Sequence, residues 1–256
     1  MIYFGVSGWS YDDWIGPVYP KDLPKRDWLA FIAARVDALE INVTYYRIPA
    51  PSIIQGWVEK TPDDFMFTAK LHRSLTHERA EPNFSQFQMD LKPLSDAGKL
   101  GAVLAQFPYS FQRNDVNESY LKQLRDGLET MPLVVEFRHT SWFREEIVAL
   151  LDSLDIGFCA VDQPVLKNLL PPIIYNVGKI GYVRFHGRNA EKWWDHDEPW
   201  ERYNYEYPRD ELAEWTPKLR SLANELPQTF VFANNHYRGK SLTTIDHLRE
   251  MFEGPG

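Results

Sequence analysis

One cysteine, Cys159, stands in a chain of 256 residues. An intramolecular disulfide is therefore excluded, as is any thiolate cage for a metal, and nothing calls for an oxidising compartment. Long apolar runs are missing as well. No stretch approaches the roughly 18 residues that would span a bilayer, and Met1-Ile2-Tyr3-Phe4-Gly5 has neither a basic n-region nor an extended apolar segment. The expectation is a cytoplasmic protein with no membrane partner. Basic excess is absent too: 28 Lys+Arg against 36 Asp+Glu leave a formal charge of −8, which disfavours nucleic acid as a partner without excluding a local basic cleft. Familiar motifs fail in detail. Gly239-Lys240-Ser241 has Asn234 where a P-loop needs Gly, and Gly5-Val6-Ser7-Gly8 is followed by Trp9 where a nucleophile elbow needs Gly. Cys159, between Phe158 and Ala160, reads as a small buried hydrophobe.

What is present is the composition of a folded globular chain, 44% hydrophobic and 25% charged. Short β-branched or aromatic runs bounded by turn residues predict eight strands: Ile2–Ser7, Ala38–Val43, Phe65–Leu71, Gly101–Phe107, Leu133–Arg138, Gly157–Asp162, Gly181–His186 and Thr229–Asn234. Helical stripes fall between most of them. Trp28/Phe31/Ile32/Arg35 is one, Ile53/Ile54/Trp57/Val58 after Pro51 another, and Phe84/Phe87/Leu91/Leu94 a third. Leu121/Leu124/Leu128 follows an expected Asn117 cap, and Ile147/Leu150/Leu151/Leu154, Leu212/Trp215/Leu219/Leu222 and Ile245/Leu248/Phe252 complete the series. Alternating strands and helices imply a parallel sheet, and eight units in this length are the arithmetic of a closed (β/α)8 TIM barrel, a single α/β domain over residues 1–256. An open doubly wound sheet is the rival, weakened by the missing phosphate fingerprint. The sixth crossover is irregular, because Pro164, Pro171 and Pro172 leave room for at most a short helix.

The two-residue period of a strand places polar side chains together near the C-terminal ends, where active sites of this fold sit. Glu40 shares a face with Asn42; Thr68 with Lys70 and His72; Glu136 with Arg138; Arg184 with His186. Ser7, Gln106, Asp162 and Asn234 end the other strands. Read as inward-facing, these residues line one mouth with three carboxylates and three fixed cations, with two His between. Mutual neutralisation as a buried ion-pair network is the competing reading, and its desolvation cost counts against it.

Three local groups add detail. Glu136, Asp162 and His186 could face a divalent metal, but Arg138 and Arg184 interleave with them and would repel a cation, so no cofactor is expected. Arg184, His186, Gly187 and Arg188 after strand seven, with Asn234, Asn235, Arg238, Gly239, Lys240 and Ser241 after strand eight, read as an anion site. The aromatic segment 187–207, with Trp193, Trp194, Trp200, Tyr203, Tyr205 and Tyr207, is either a lid or a satellite core.

Ordered motifs along nearly the whole chain point the same way. They include Gly5-Val6-Ser7-Gly8-Trp9-Ser10-Tyr11, Glu40-Ile41-Asn42 with Thr44-Tyr45-Tyr46-Arg47, Lys70 followed by Thr76-His77, and Leu104-Ala105-Gln106-Phe107-Pro108. Glu136-Phe137-Arg138, Tyr182-Val183-Arg184-Phe185-His186-Gly187 and Phe232-Ala233-Asn234-Asn235 continue the series. The chain resembles the YecE-like family, a domain of unknown function; Tyr109 and Ala233 are small departures. The resemblance implies a TIM barrel and supplies no reaction. The likeness of such barrels to the xylose isomerase and endonuclease IV group is a fold-level analogy.

The function expected is acid-base chemistry on a small anionic or phosphorylated polyhydroxy substrate. Glu136 or Glu40 would be the acid or base, His186 or His77 the proton shuttle, and Arg138, Arg184 and Lys70 the holders of negative charge. Asn42, Arg47, Gln106, Asn234, Asn235 and Trp9 would bind the rest of the substrate. A metal-assisted phosphodiesterase using Glu136, Asp162, His186, His72 and His77, and a non-catalytic ligand sensor, are the alternatives. A glycosidase fits less well, since no clean acidic pair is present. Oligomeric state is left open by the sequence.

Overall fold

The β-branched and aromatic runs fold as eight parallel strands: β1 (Ile2–Ser7), β2 (Ala38–Ile41), β3 (Met66–Lys70), β4 (Leu100–Gln106), β5 (Leu133–Glu136), β6 (Gly157–Asp162), β7 (Ile180–Phe185) and β8 (Gln228–Ala233). The computed structural model, which describes residues 1–79 and 83–254, pairs each strand with the next and β8 with β1, closing a (β/α)8 TIM barrel. Helices wrap the outside. They are α1 (Trp28–Ala33), α2 (Val43–Tyr46), α3 (Pro51–Glu59), α4 (Phe84–Asp90), α5 (Lys92–Asp96), α6 (Asp115–Gly127), α7 (Glu145–Ser153), α8 (Arg209–Ala213), α9 (Thr216–Glu225) and α10 (Lys240–Glu253). None of the described helices is long and apolar enough to cross a membrane.

Several details correct the expectations. The second strand stops at Ile41, because the chain turns at Asn42 directly into α2. The Phe84–Leu94 stripe is two helices, with a new start at Leu91 that places Pro93 in the first turn of α5, where its missing N–H costs nothing. Asn114, not Asn117, caps α6: its side chain accepts the Asn117 backbone N–H (2.9 Å), and Asn117 is buried inside the helix. Between β6 and β7 there is no helix, as the three prolines require.

Within the barrel, Phe230 and Phe232 on β8 are fully buried and lie against glycines, Gly101 of β4 and Gly5 of the neighbouring β1. A Cβ at Gly5 would overlap the Ala38 carbonyl oxygen and the Phe232 ring; one at Gly101 would overlap the Phe230 ring. These glycines are therefore required by close approach and not by backbone conformation. Alternating large and absent side chains fill this level with hydrocarbon, so the polar residues nearer the C-terminal ends stand on a closely packed apolar floor.

Replacing Gly5 by Ala is expected to cost about 3 kcal/mol, since a strand-to-strand contact must open. For a chain of this size that lowers Tm by roughly 6–12 °C. An unchanged Tm in Gly5→Ala would contradict the packing described.

Candidate functional site

The mouth is organised by one guanidinium. Arg184 of β7, 2% exposed, sends Nη2 to Glu40 Oε1 (2.6 Å) on β2 and Nη1 to Glu136 Oε2 (2.7 Å) on β5. Nη1 also reaches Gln106 Oε1 at 3.2 Å. Glu40 is held from its other oxygen by the Tyr182 hydroxyl (2.7 Å), which in turn accepts from Thr68 Oγ1 (2.8 Å). Glu136 is held from its other oxygen by Arg138 Nη2 (2.7 Å). Arg138 is itself positioned through the irregular sixth crossover: Nη1 donates to Gln163 Oε1 (3.1 Å), and Gln163 Nε2 donates to the Leu170 carbonyl (2.9 Å). An unbroken chain of polar contacts thus runs from Thr68 through Tyr182, Glu40, Arg184, Glu136 and Arg138 to Gln163.

Such a chain tunes charge. Burial alone would raise the Glu136 carboxyl, but Arg138, Arg184 and His186 outweigh it and hold the group well below the usual carboxylate range. Arg184 is disfavoured by burial and secured by Glu40 and Glu136, so it stays protonated. His186 is pushed down to about 3 by burial and by Arg138, against the pull of Glu136. It is a neutral imidazole. Asn234 Nδ2 lies 3.0 Å from His186 Nδ1, and donation to that nitrogen assigns the ring proton to Nε2, which is buried, unpartnered and 3.4 Å from Glu136 Oε1.

Lys70, at the end of β3, stands apart. Among the described residues its ammonium has no ion pair and no hydrogen bond; it rests over the Tyr45 ring, 4.4 Å from the centroid. Burial and Arg184 bring it down to about 7, with Glu136 and Glu40 pulling the other way. His77 borders the same ring, 5.1 Å from Tyr45, and burial with Lys70 beside it depresses the imidazole to about 4.

Other expected site residues are placed differently. Asp162 pairs in register with Phe185, whose ring packs outside the barrel on Tyr207 and Trp215. Asp162 therefore points outward, where it accepts from Tyr207 Oη (2.7 Å), Trp215 Nε1 (2.6 Å) and Arg188 Nη2 (2.7 Å). Glu136, Asp162 and His186 consequently do not share a face, and among the described residues no three His, Cys, Asp or Glu side chains gather for a metal. Most of the anion site expected from loops seven and eight is engaged by the chain itself, although among the described residues the Arg238 guanidinium makes only a contact with the Tyr237 ring. Arg184 is committed to carboxylates, Arg188 to Asp162 and Glu214, Asn235 to Tyr205 O and Thr244 Oγ1, and Lys240 to Asn204. His72 turns to Ser74 Oγ (2.9 Å) and leaves the mouth to Lys70.

Trp9, Asn42 and Arg47 do come together, as walls of a cavity of about 400 Å³ beside the mouth, with Trp57 edge-on to Trp9 at 5.2 Å. Segment 187–207 packs over the opposite side. Trp193 is 2% exposed, 5.3 Å from the Arg202 guanidinium and 6.0 Å from that of Arg138. Trp200 stacks on Tyr237 at 4.1 Å, and the Gly187 N–H donates to Tyr207 Oη (2.8 Å). In this structure the segment is a satellite core pinned to the barrel; Trp194 alone among its tryptophans is largely exposed.

A family model described as "Protein of unknown function DUF72" matches residues 3–255. The chain belongs to the DUF72 family. Among curated relatives, the UPF0759 protein YunF of Bacillus subtilis (strain 168) is 28% identical over 271 residues, spanning 99% of this chain and 94% of that one. The UPF0759 protein YecE of Escherichia coli (strain K12) is 28% identical over 151 residues, 56% of this chain and 50% of its own. A DUF72 protein of Thermotoga maritima MSB8, 36% identical, superposes with a TM-score of 0.90 over 99% of this chain and 100% of that one. A second, from Enterococcus faecalis V583, gives a TM-score of 0.85 at 24% identity over 100% and 97%. The resemblance read from the sequence motifs is thereby shown, and with it the fold.

Sequence reasoning passed over Tyr182 and Gln163, both of which hold a charged member of the mouth in place. Tyr182 was within reach of the same period-two argument that picked out Arg184 and His186, being the next residue back on that face. Gln163 lies beyond the strand, in a proline-rich crossover with no period to read.

Because His186 is neutral when folded and has an ordinary value of 6.5 when exposed, its contribution to stability is complete above pH 6.5 and is lost as pH falls toward about 3. The loss runs at about 1.4 kcal/mol per pH unit. Urea unfolding from pH 6 to 4.5 should show His186→Gln losing stability less steeply than wild type by about that slope. Parallel curves would show that the imidazole is not held neutral.

Proposed function

We propose that the barrel mouth is the active site of an enzyme that moves protons on a small anionic or phosphorylated polyhydroxy compound. One observation carries this reading. The two inward carboxylates, Glu40 and Glu136, are matched by Arg184 and Arg138, so Lys70 is a surplus cation with no partner among the described residues. An anionic group is the partner it lacks.

Each remaining role follows from what a group touches. Lys70, brought down to about 7, is present in both protonation states at neutral pH and can take or return a proton. An anion beside it favours the charged state, so binding would draw a proton onto the amine. His186 Nε2–H and the Arg138 guanidinium are fixed donors for oxygen that gains negative charge during the reaction. Glu136 is a permanent anion that positions both, and Glu40 is sealed beneath Arg184 and Tyr182 as a positioning residue. Arg47, Asn42 and Trp9 lie where the distal part of a substrate would extend, in the adjoining cavity. Arg184, with both Nη atoms committed to Glu40, Glu136 and Gln106, acts through the carboxylates and not on substrate.

Thermal melts with ribose 5-phosphate, glucose 6-phosphate and their neutral parent sugars test the reading. A bound phosphate at 100 times its Kd adds about 2.7 kcal/mol, a rise of roughly 5–10 °C for a chain of this size. The rise should be confined to the phosphates and lost in Lys70→Met. No rise with either phosphate, or an equal rise in Lys70→Met, would overturn the assignment.

A further inference from the structure

We propose that Lys70 is a covalent catalyst, forming an iminium with the carbonyl carbon of a small anionic aldehyde or ketone bound in the mouth. The inference rests on the reading above that the mouth takes a small anion, and it adds the functional group that the anion must carry.

The geometry favours a nucleophile over a base alone. A general base is ordinarily oriented by a third group through a hydrogen bond. Lys70 Nζ has none among the described residues; it is seated only on the face of Tyr45. That contact fixes the nitrogen while leaving its lone pair uncommitted, and it continues to favour the cation once nitrogen carries a substrate. Both inward carboxylates, which would otherwise clamp the ammonium, are taken by guanidinium groups. Burial and the nearby Arg184 disfavour the ammonium against the pull of Glu136 and Glu40, which is the setting that keeps a lysine neutral and reactive. Lys70 is also partly open to solvent, as covalent capture requires.

The step balances without an oxidant or reductant. The neutral fraction of the amine, in proton exchange with solvent against the ammonium that the bound anion favours, adds to the carbonyl carbon; the C–N bond forms as the C=O π pair moves to oxygen, and one N–H proton is transferred to that oxygen. The resulting hydroxyl leaves with a second proton, from solvent at the open mouth, as water. The nitrogen lone pair then completes the C=N bond. The sum is one amine, one carbonyl and one proton giving one iminium and one water. The iminium withdraws electrons from its α-carbon, where His186, Arg138 and released water provide the donors and acceptors for proton transfer.

The test is reductive trapping of the intact wild-type protein at pH 7 with glyoxylate, an anionic aldehyde, or acetaldehyde, a neutral one, each with cyanoborohydride, followed by peptide mapping. A lysine at its ordinary value is neutral to roughly one part in 2,500 at pH 7. Lys70 is therefore expected to acquire a carboxymethyl group at least about tenfold faster than exposed Lys92 and Lys179, even after allowing for the lower nucleophilicity of a weaker base. Lys70→Arg should remove the fast phase and leave the slow one. Glyoxylate labelling spread evenly over the exposed lysines, with Lys70 unmodified, would overturn the imine. If the phosphates still raised Tm in that case, the anion site would stand without it. Fast labelling of Lys70 by both aldehydes alike would keep the imine and remove the preference for an anion beneath it.

Discussion

Arg184 stands between Glu40 of β2 and Glu136 of β5, and the polar interior of the barrel is arranged around those two short ion pairs. Taking three charges out of water is costly, and the cost is recovered only where geometry is close and every remaining lone pair is satisfied. Here Tyr182 and Thr68 extend one end and Arg138 with Gln163 the other, while Arg184 Nε stays buried without a partner among the described residues. Removing one member of such a set typically costs about 3–5 kcal/mol, because the partner left behind is buried and unpaired. An apolar plug would fill the same space more cheaply. A barrel that instead holds a row of paired ions directly under its open end has the arrangement that the proposed reading requires, a site whose electrostatics are set in advance.

The consequences fall on groups that the row does not neutralise. Lys70 is lowered first by burial and then by Arg184, against the pull of Glu136 and Glu40, both of which are committed to guanidinium groups. His77 feels Lys70, and is lowered further than burial alone requires. His186 is oriented by Asn234 and kept uncharged beside Glu136. Burial, aided by these fixed charges, therefore holds two imidazoles neutral and leaves an amine balanced between states, which is the condition for proton transfer and nucleophilic addition near neutral pH. The irregular sixth crossover belongs to the same design. Its prolines forbid a helix, and the resulting loop delivers Gln163 and Leu170 to the Arg138 fork.

How much of this was legible in the sequence depends on what kind of order each feature has. Strands repeat every two residues and stop at turn chemistry, so Ile2–Ser7 and Gly157–Asp162 read to the residue, while Ala38–Ile41 was overrun where Asn42 turns into α2. Inward faces were legible wherever two or more polar residues shared parity, as in Glu136 with Arg138 or Arg184 with His186. Asp162 had no such neighbour, and was assigned to the mouth only because it ends a strand. Its actual partners, Trp215 and Tyr207, lie 53 and 45 residues away, on the helical side. Removing Asp162 from the mouth changes the count from three carboxylates against three cations to two against three. The surplus cation on which the functional reading depends appears only then. Partner choice for Arg184 and Arg188 was equally hidden, since a guanidinium aimed at substrate and one aimed at a carboxylate look alike in sequence.

The central claim is that burial beside this row of ions leaves Lys70 uncharged for much of the time at neutral pH. A side-chain NMR titration of the lysine Cε and Nζ resonances, with Lys70 assigned by its loss in Lys70→Arg, measures that directly. The account predicts a midpoint for Lys70 near 7, well separated from the other lysines. A midpoint at the ordinary lysine value of about 10.4 would contradict it.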